Sequence, residues 1–345
     1  MLFLAVIAFV PVLFLTIGSL LSAPKHRGPV SVHFNGKVFQ NPGGVKAKGF
    51  KDVFPMLLKQ KRGPWPEITE AKKQPHPPER VTKGIQLTFV NHSTFLIQVD
   101  GLNILTDPVW SKRVSPFQWA GPKRMRPPGI EMDQLPPIDV LLLSHNHYDH
   151  LDLPTVKTLL TKHQPQIITP LGVGQFIQQQ TGKTAVDMDW WDHFDFSDDL
   201  RISCVPAQHF SGRGILDRDA TLWCGYMLQT KTGTIYFAGD SGYGPFFKTI
   251  GEKFPSIDLA LLPIGAYRPI WFMSPIHTSP EEAVKIHLDI KSKQSVATHF
   301  GTFPLAYEGK EEPMADLQKA LQEMNIPASE FWVLEEGEGR HYDVA

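Results

Sequence analysis

Ser144-His145-Asn146-His147-Tyr148-Asp149-His150-Leu151-Asp152 follows directly on the apolar run Ile138-Asp139-Val140-Leu141-Leu142-Leu143. The run is short, branched and bounded by turn residues, which predicts a buried strand. The histidines then sit on the loop at the strand's C-terminal end, where side chains can converge on a ligand. Imidazole is the commonest metal ligand, and a neighbouring carboxylate suits a borderline cation such as zinc. Four donors packed so closely are not surface filler.

Working outward, the same juxtaposition recurs. His209 follows the strand-like Ile202-Ser203-Cys204-Val205-Pro206, Asp240 follows Ile235 to Gly239, and His299 follows Ser295 to Thr298. With His145, His147, Asp149 and His150 these make seven donors, enough for two metal ions sharing one carboxylate. Further strands are expected at Gln86 to Val90, Thr94 to Val99, Leu102 to Thr106, Ile167 to Pro170, Leu200 to Ala207, Thr221 to Gln229, Thr234 to Ala238 and Asp258 to Ile264. Asp100-Gly101 predicts a hairpin turn. Helices are expected over Leu153 to His163, Gly172 to Gln180 and Pro313 to Met324. Another begins after the N-cap serine of Ser279-Pro280-Glu281-Glu282. The pattern is α/β: two mixed sheets packed together with helices outside.

The N-terminal part differs. Residues 1–23 carry no charged side chain and are long enough, at ~1.5 Å per residue, to cross a ~30 Å hydrocarbon core. No basic residue precedes them and Lys25 and Arg27 follow, so they read as a membrane anchor rather than a cleaved signal, with the remainder on the cytoplasmic side. Pro11 is tolerated in such a helix. Residues 24–84 hold 13 Lys/Arg against 4 Asp/Glu and are rich in Pro and Gly. They read as a basic linker draped on the domain, pinned by Phe54 and Trp65 and attracted to anionic lipid. Residues 85–345 form the catalytic domain. That domain is net acidic, which excludes a phosphate-backbone binder and hence a nucleic-acid partner. Cys204 and Cys224 lie in apolar stretches without ligand spacing and read as buried free thiols.

His145-Asn146-His147-Tyr148-Asp149-His150 resembles the His-x-His-x-Asp-His signature of the metallo-β-lactamase fold, an αββα sandwich. Other stretches resemble the N-acyl-phosphatidylethanolamine-hydrolysing phospholipase D branch of that superfamily. They are Leu105-Thr106-Asp107-Pro108, Gly121-Pro122-Lys123-Arg124, Asp189-Trp190-Trp191, Phe237-Ala238-Gly239-Asp240, Pro263-Ile264-Gly265-Ala266-Tyr267, Trp271-Phe272-Met273 and His299-Phe300-Gly301-Thr302-Phe303. The resemblance spans roughly residues 85 to 340. It implies one zinc on His145, His147 and His209, a second on Asp149, His150 and His299, and Asp240 bridging; iron and manganese stay open as alternatives. It also implies a homodimer.

Two zincs ~3.5–4 Å apart hold hydroxide at neutral pH and stabilise charge on attacking and leaving oxygens. The expected reaction is hydrolysis of a phospholipid to phosphatidate and an N-acylethanolamine-type alcohol. Asp149 and Asp240 are expected to orient the nucleophile's proton. His277 falls where the family has a histidine near the site, a candidate to position substrate or protonate the leaving group. Ile276 departs from the family's polar residue beside it. Trp190, Trp191, Tyr267, Trp271 and Phe272 suit a wall for acyl chains. Gly239-Asp240-Ser241-Gly242-Tyr243 lacks the second glycine of a nucleophile elbow, which argues against a serine hydrolase. The alternatives are a lactonase or phosphate-ester hydrolase of the same fold acting on a soluble metabolite, and a non-catalytic, membrane-tethered metal-binding protein.

Overall fold

The computed structural model describes residues 15–49, 52, 61–70, 72 and 74–344. Among these residues fourteen strands make two seven-stranded sheets. One contains β1 (Ile85–Asn91), β2 (Thr94–Val99), β3 (Leu102–Thr106), β4 (Val140–Leu142), β5 (Gln166–Pro170) and β6 (Val186–Met188). The other contains β7 (His193–Ser197), β8 (Leu200–Val205), β9 (Gly225–Thr230), β10 (Thr234–Phe237), β11 (Leu259–Pro263), β12 (Gln294–Thr298) and β13 (Phe331–Trp332). The last strand, β14 (Gly339–Tyr342), returns to the first sheet. Strand orders are β14-β1-β2-β3-β4-β5-β6 and β13-β12-β11-β10-β9-β8-β7. This is the expected α/β sandwich of two mixed sheets.

Alternation of side chains along each strand builds the layers. Leu87, Phe89, Ile97, Ile104, Val140 and Leu142 face inward and meet Ile202, Tyr226, Leu228 and Ile235 of the second sheet. Their neighbours Val90, Leu96, Leu105, Leu141 and Ile167 face outward, where α1 (Leu153–Lys162) and α2 (Val173–Thr181) cover them with Val156, Leu159, Phe176 and Ile177. The second sheet is covered by α3 (Phe246–Lys253), α5 (Pro280–Asp289) and α6 (Glu312–Glu323), which contribute Ile250, Val284 and Leu317. The short α4 (Ile270–Met273) precedes α5. Each fully buried Leu, Ile or Phe in these layers contributes about 1.5–3 kcal/mol. Ser279 caps α5 reciprocally: its Oγ accepts from the Glu282 N–H, and Glu282 accepts from the Ser279 N–H. Positive φ at Asp100 and Gly101 gives the expected tight hairpin.

Several elements differ from expectation. The strand expected from Thr221 starts at Gly225, because Leu222 N–H bonds the Leu171 carbonyl and Cys224 N–H the Ser144 carbonyl instead of a ladder partner. Strands β6, β7, β13 and β14 and helices α3 and α4 were not expected. β7 and β14 alternate exposed with half-buried positions at sheet edges, so neither carries an apolar run.

The basic segment is packed onto the domain. Phe34 and Phe39 are buried against Ala207, Leu222 and Trp223, and Trp65 Nε1 donates to the Glu308 carbonyl. Phe54 and residues 1–14 of the apolar N-terminus lie outside the described residues. Residues 15–21 are helical. Among the described residues no helix is long and apolar enough to cross a membrane. Cys204 and Cys224 are buried and free.

Candidate metal centre

Strand direction decides where the donors go. β1, β3 and β4 run the same way in one sheet, and β8, β10 and β12 do so in the other. The loops after them gather at one edge of the sandwich. Those loops carry His92, Asp107, the residues 145–150, His209, Asp240 and His299. All seven donors expected from the sequence are brought together there.

They form two sets. His145 Nε2 lies 2.9 Å and His209 Nε2 3.2 Å from His147 Nδ1, three ring nitrogens facing one point. On the other side, His150 Nε2 and His299 Nε2 each lie 3.4 Å from Asp149 Oδ2. Asp240 stands between the sets. Its Oδ2 is 3.1 Å from His150 Nε2, 3.1 Å from His299 Nε2 and 3.7 Å from His209 Nε2.

Outer contacts fix which nitrogen faces inward. His209 Nδ1–H donates to the Ile276 carbonyl (2.7 Å) and His150 Nδ1–H to Asp107 Oδ2 (2.6 Å). Asp107 also accepts from the Ser144 backbone N–H and hydroxyl, which leaves Ser144 Oγ to accept from His145 Nδ1–H at 2.9 Å. The Nε2 atoms of His145, His150 and His209 are thereby turned toward the centre, as metal-binding histidines require. His150 Nε2, His299 Nε2 and Asp240 Oδ1 are buried without a hydrogen-bond partner, whereas buried polar atoms are ordinarily satisfied. That donor set fits a pair of divalent cations.

Electrostatics agree. Burial holds His145 and His209 well below the ordinary imidazole range and His147 down to about 3, so these rings are neutral donors. For His150 burial acts downward, but Asp240, Asp149 and Asp107 outweigh it and raise the ring well above that range. His299 is raised to about 9 by Asp240 and Asp149 against the same burial. Asp149 and Asp240 stay ionised despite burial because His150 and His299 face them. The pocket therefore favours positive charge between the two carboxylates. Asp149 and His147 are half-buried, so the site opens to solvent beside them.

On the loops at this edge His92, Asp107, Ala266 and His299 have positive φ. Gly239 does too (φ 61°), and a Cβ there would lie 2.7 Å from Ser144 Cβ, so glycine is required to turn Asp240 inward.

His277 is buried with Nδ1 3.9 Å from Asp240 Oδ2, and its ring centre is 5.0 Å from that of His209. The aromatics expected to form one wall are divided. Tyr267 is turned inward, its hydroxyl donating to Asp316 of α6. Trp190 stacks on His33 at 4.4 Å and donates to the Trp223 carbonyl. Trp191 and Trp271 keep exposed rings, and Phe272 is half-buried.

Three residues escaped the sequence reading. His92 Nε2 lies 3.1 Å from Asp149 Oδ2, with its ring 4.1 Å from that of His299; its position just after β1 repeats the strand-end placement of the other donors. Asp107 lies in a quoted motif but was given no part in the site. Asn41, inside the supposed linker, accepts from the His209 N–H and donates to the His209 carbonyl, both at 2.8 Å; no spacing signals it.

Comparison with known proteins adds to this geometry. The model of the beta-lactamase superfamily domain matches residues 102–300. The chain is 33% identical over 333 residues to N-acyl-phosphatidylethanolamine-hydrolyzing phospholipase D 1 of Caenorhabditis elegans, covering 86% of this chain and 93% of that one. It is 35% identical over 237 residues to the mitochondrial N-acyl-phosphatidylethanolamine-hydrolyzing phospholipase D of Saccharomyces cerevisiae, covering 67% of this chain and 50% of that one. Among solved structures, Igni18, a metallo hydrolase of Ignicoccus hospitalis, superposes with a TM-score of 0.59 at 21% identity, over 76% of this chain and 100% of that one.

Proposed function

The chain belongs to the beta-lactamase superfamily as a metal-dependent hydrolase, and on that premise we propose that it is a two-zinc phosphodiesterase of phospholipids. Its substrate in this proposal is N-acyl-phosphatidylethanolamine or a close relative, and its products are phosphatidate and an N-acylethanolamine-type alcohol. The observation that carries the proposal is Asp240, whose Oδ2 stands 3.1 Å from His150 and His299 and 3.7 Å from His209. A carboxylate so placed suits two cations sharing one ligand.

In this proposal His145, His147 and His209 hold one ion and Asp149, His150 and His299 the other, with Asp240 between. Bound zinc pairs supply Lewis acidity toward a phosphoryl oxygen and a nucleophile at neutral pH. The chain's own residues do the rest. Asp149, half-buried at the mouth, accepts the proton of the attacking water. His277, which burial lowers to about 4 and so keeps neutral, gives a hydrogen bond from its ring N–H to the leaving oxygen, which takes up its proton from solvent. Ser144, Asp107 and Ile276 keep the ring nitrogens aimed, so no reorganisation is needed as charge develops.

Support for a lipid substrate comes from the named relatives; a cavity of about 620 Å³ beside His209, bordered by the apolar Val38, Phe39, Phe210 and Trp223 and by the polar Asn35, Lys46, Arg218 and Asp219, offers room for a chain and a headgroup. The uncharged N-terminus and the basic residues after it suit a protein anchored at a membrane with its domain on the cytoplasmic side. The test is hydrolysis of N-acyl-phosphatidylethanolamine in mixed micelles, with both products identified by mass spectrometry. Turnover of lactones or soluble phosphate esters without phospholipid cleavage would move the assignment to a soluble metabolite. Stable metal binding with no turnover of either class would make the centre structural.

A further inference from the structure

We propose that residues 212–217, the last turn of the N-terminal helix and the tip of the 113–120 loop form one face that lies in the surface of a lipid bilayer. The inference rests on the membrane-enzyme reading above.

The loop is stitched to the end of the apolar run. Ile215 N–H donates to the Gly18 carbonyl (3.2 Å), Leu216 N–H to Ser22 Oγ (3.1 Å), and Ala23 N–H to Asp217 Oδ2 (2.8 Å). The approach at Gly214 is so close that a Cβ there would lie 2.3 Å from the Gly18 carbonyl oxygen. Met1 to Phe14 of the sequence carry no charge. A segment that enters the bilayer through them leaves it near Gly18–Ser22, and whatever is bonded to those residues sits at the same depth.

The side chains at that depth are the wrong ones for water. Leu15 is 55%, Leu20 80%, Ile215 40% and Leu216 55% exposed. Leu20 and Leu21 line a cavity of about 280 Å³ together with Tyr148, Asp152, Phe176 and Arg213 and with Arg113, Ser115, Pro116 and Gln118 of the 113–120 loop. The loop carrying those residues presents Trp119, 79% exposed, and tryptophan is favoured at headgroup level. Lys25, Arg27 and Arg218 are exposed nearby in sequence to the two stitched segments and complement anionic headgroups. An apolar patch rimmed by cations and continuous with an apolar chain end fits a bilayer.

The face is joined to the metal centre through Arg213. Its guanidinium donates to the carbonyls of Asn146 (2.8 Å) and Leu151 (2.9 Å), and Gly212 N–H donates to Asn146 Oδ1. These bonds bracket the loop that carries His147, Asp149 and His150. The donors therefore sit one loop away from the lipid from which a phospholipid must be drawn.

The test places an environment-sensitive fluorophore at Leu216→Cys in the full-length protein, reconstituted in vesicles of phosphatidylethanolamine and phosphatidylglycerol. Cys204 and Cys224 are buried, so the label reports the introduced thiol. Brominated phosphatidylcholine in the vesicles is expected to abolish most of the emission, and aqueous iodide little of it. A label at Lys319→Cys on α6 is expected to show the reverse. Trp119→Cys gives the same readout should Leu216→Cys not fold. Quenching by iodide alone overturns the inference; shielding from both quenchers shows a second copy on this face and overturns it too. Quenching reads insertion without turnover, and hydrolysis of N-acyl-phosphatidylethanolamine is assayed separately, so an inserted loop on a protein inert toward phospholipid would refute the function, and a water-facing loop on an active phospholipase would refute only this face.

Discussion

Asn41 grips His209 by both backbone polar groups, accepting from its N–H and donating to its carbonyl at 2.8 Å each. The segment before the catalytic domain thus reaches one of the candidate ligands directly. Asn41→Ala leaves those two buried groups unpaired, while Trp223 Nε1 keeps the Ala207 carbonyl as a partner. The expected cost is about 2–6 kcal/mol in urea unfolding, at about 1–3 kcal/mol per orphaned group. A loss below ~0.5 kcal/mol would show that the contact is replaced by water.

Asp107 accepts from Ser144 twice and from His150 Nδ1 while touching no candidate metal position itself in this assignment. Asp107→Asn keeps the shape but offers only one oxygen to three donors. Zinc affinity is expected to fall about 10–100-fold, the usual effect of removing an outer partner of a ligating histidine. Competition with a chromophoric chelator measures it; unchanged affinity would show that the Asp107 bonds do not aim the ring.

The metal-stripped protein should be most stable near pH 6.5. Burial lowers His92 and His147 from 6.5 to about 3 in the folded state. Their contribution is complete above the unfolded pKa and is lost as pH falls from 6.5 toward 3. His299, raised to about 9, contributes below 6.5 and loses that contribution as pH rises through 9. Calorimetry in the presence of a chelator should give Tm falling on both sides. A Tm that climbs steadily to pH 9 would contradict the placement of His299 between Asp149 and Asp240.

The sequence reading went furthest where chemistry and strand pattern coincide. The residues 145–150, His209, Asp240 and His299 each follow an apolar run, and chain topology brings the ends of those runs to one edge. Elsewhere the determining contacts are long-range and leave no local pattern. Asn41 sits among Pro42, Gly43 and Gly44, which read as a linker; its role depends on His209 and Trp223, far along the chain. His92 lies in Asn91-His92-Ser93-Thr94, where a lone histidine carries no ligand spacing. β14 is polar because it is an edge strand, paired only with β1. Tyr267 has the composition of a binding wall, yet the Asp316 carboxylate turns it inward.

The central claim is a pair of cations sharing Asp240, and counting them tests it most directly. Elemental analysis of the protein after zinc loading and dialysis should give close to two zinc per chain. Asp240→Asn, analysed in parallel, should lose the second equivalent while retaining its far-ultraviolet circular dichroism. One zinc per chain in the unaltered protein, or two in the folded variant, would contradict the account.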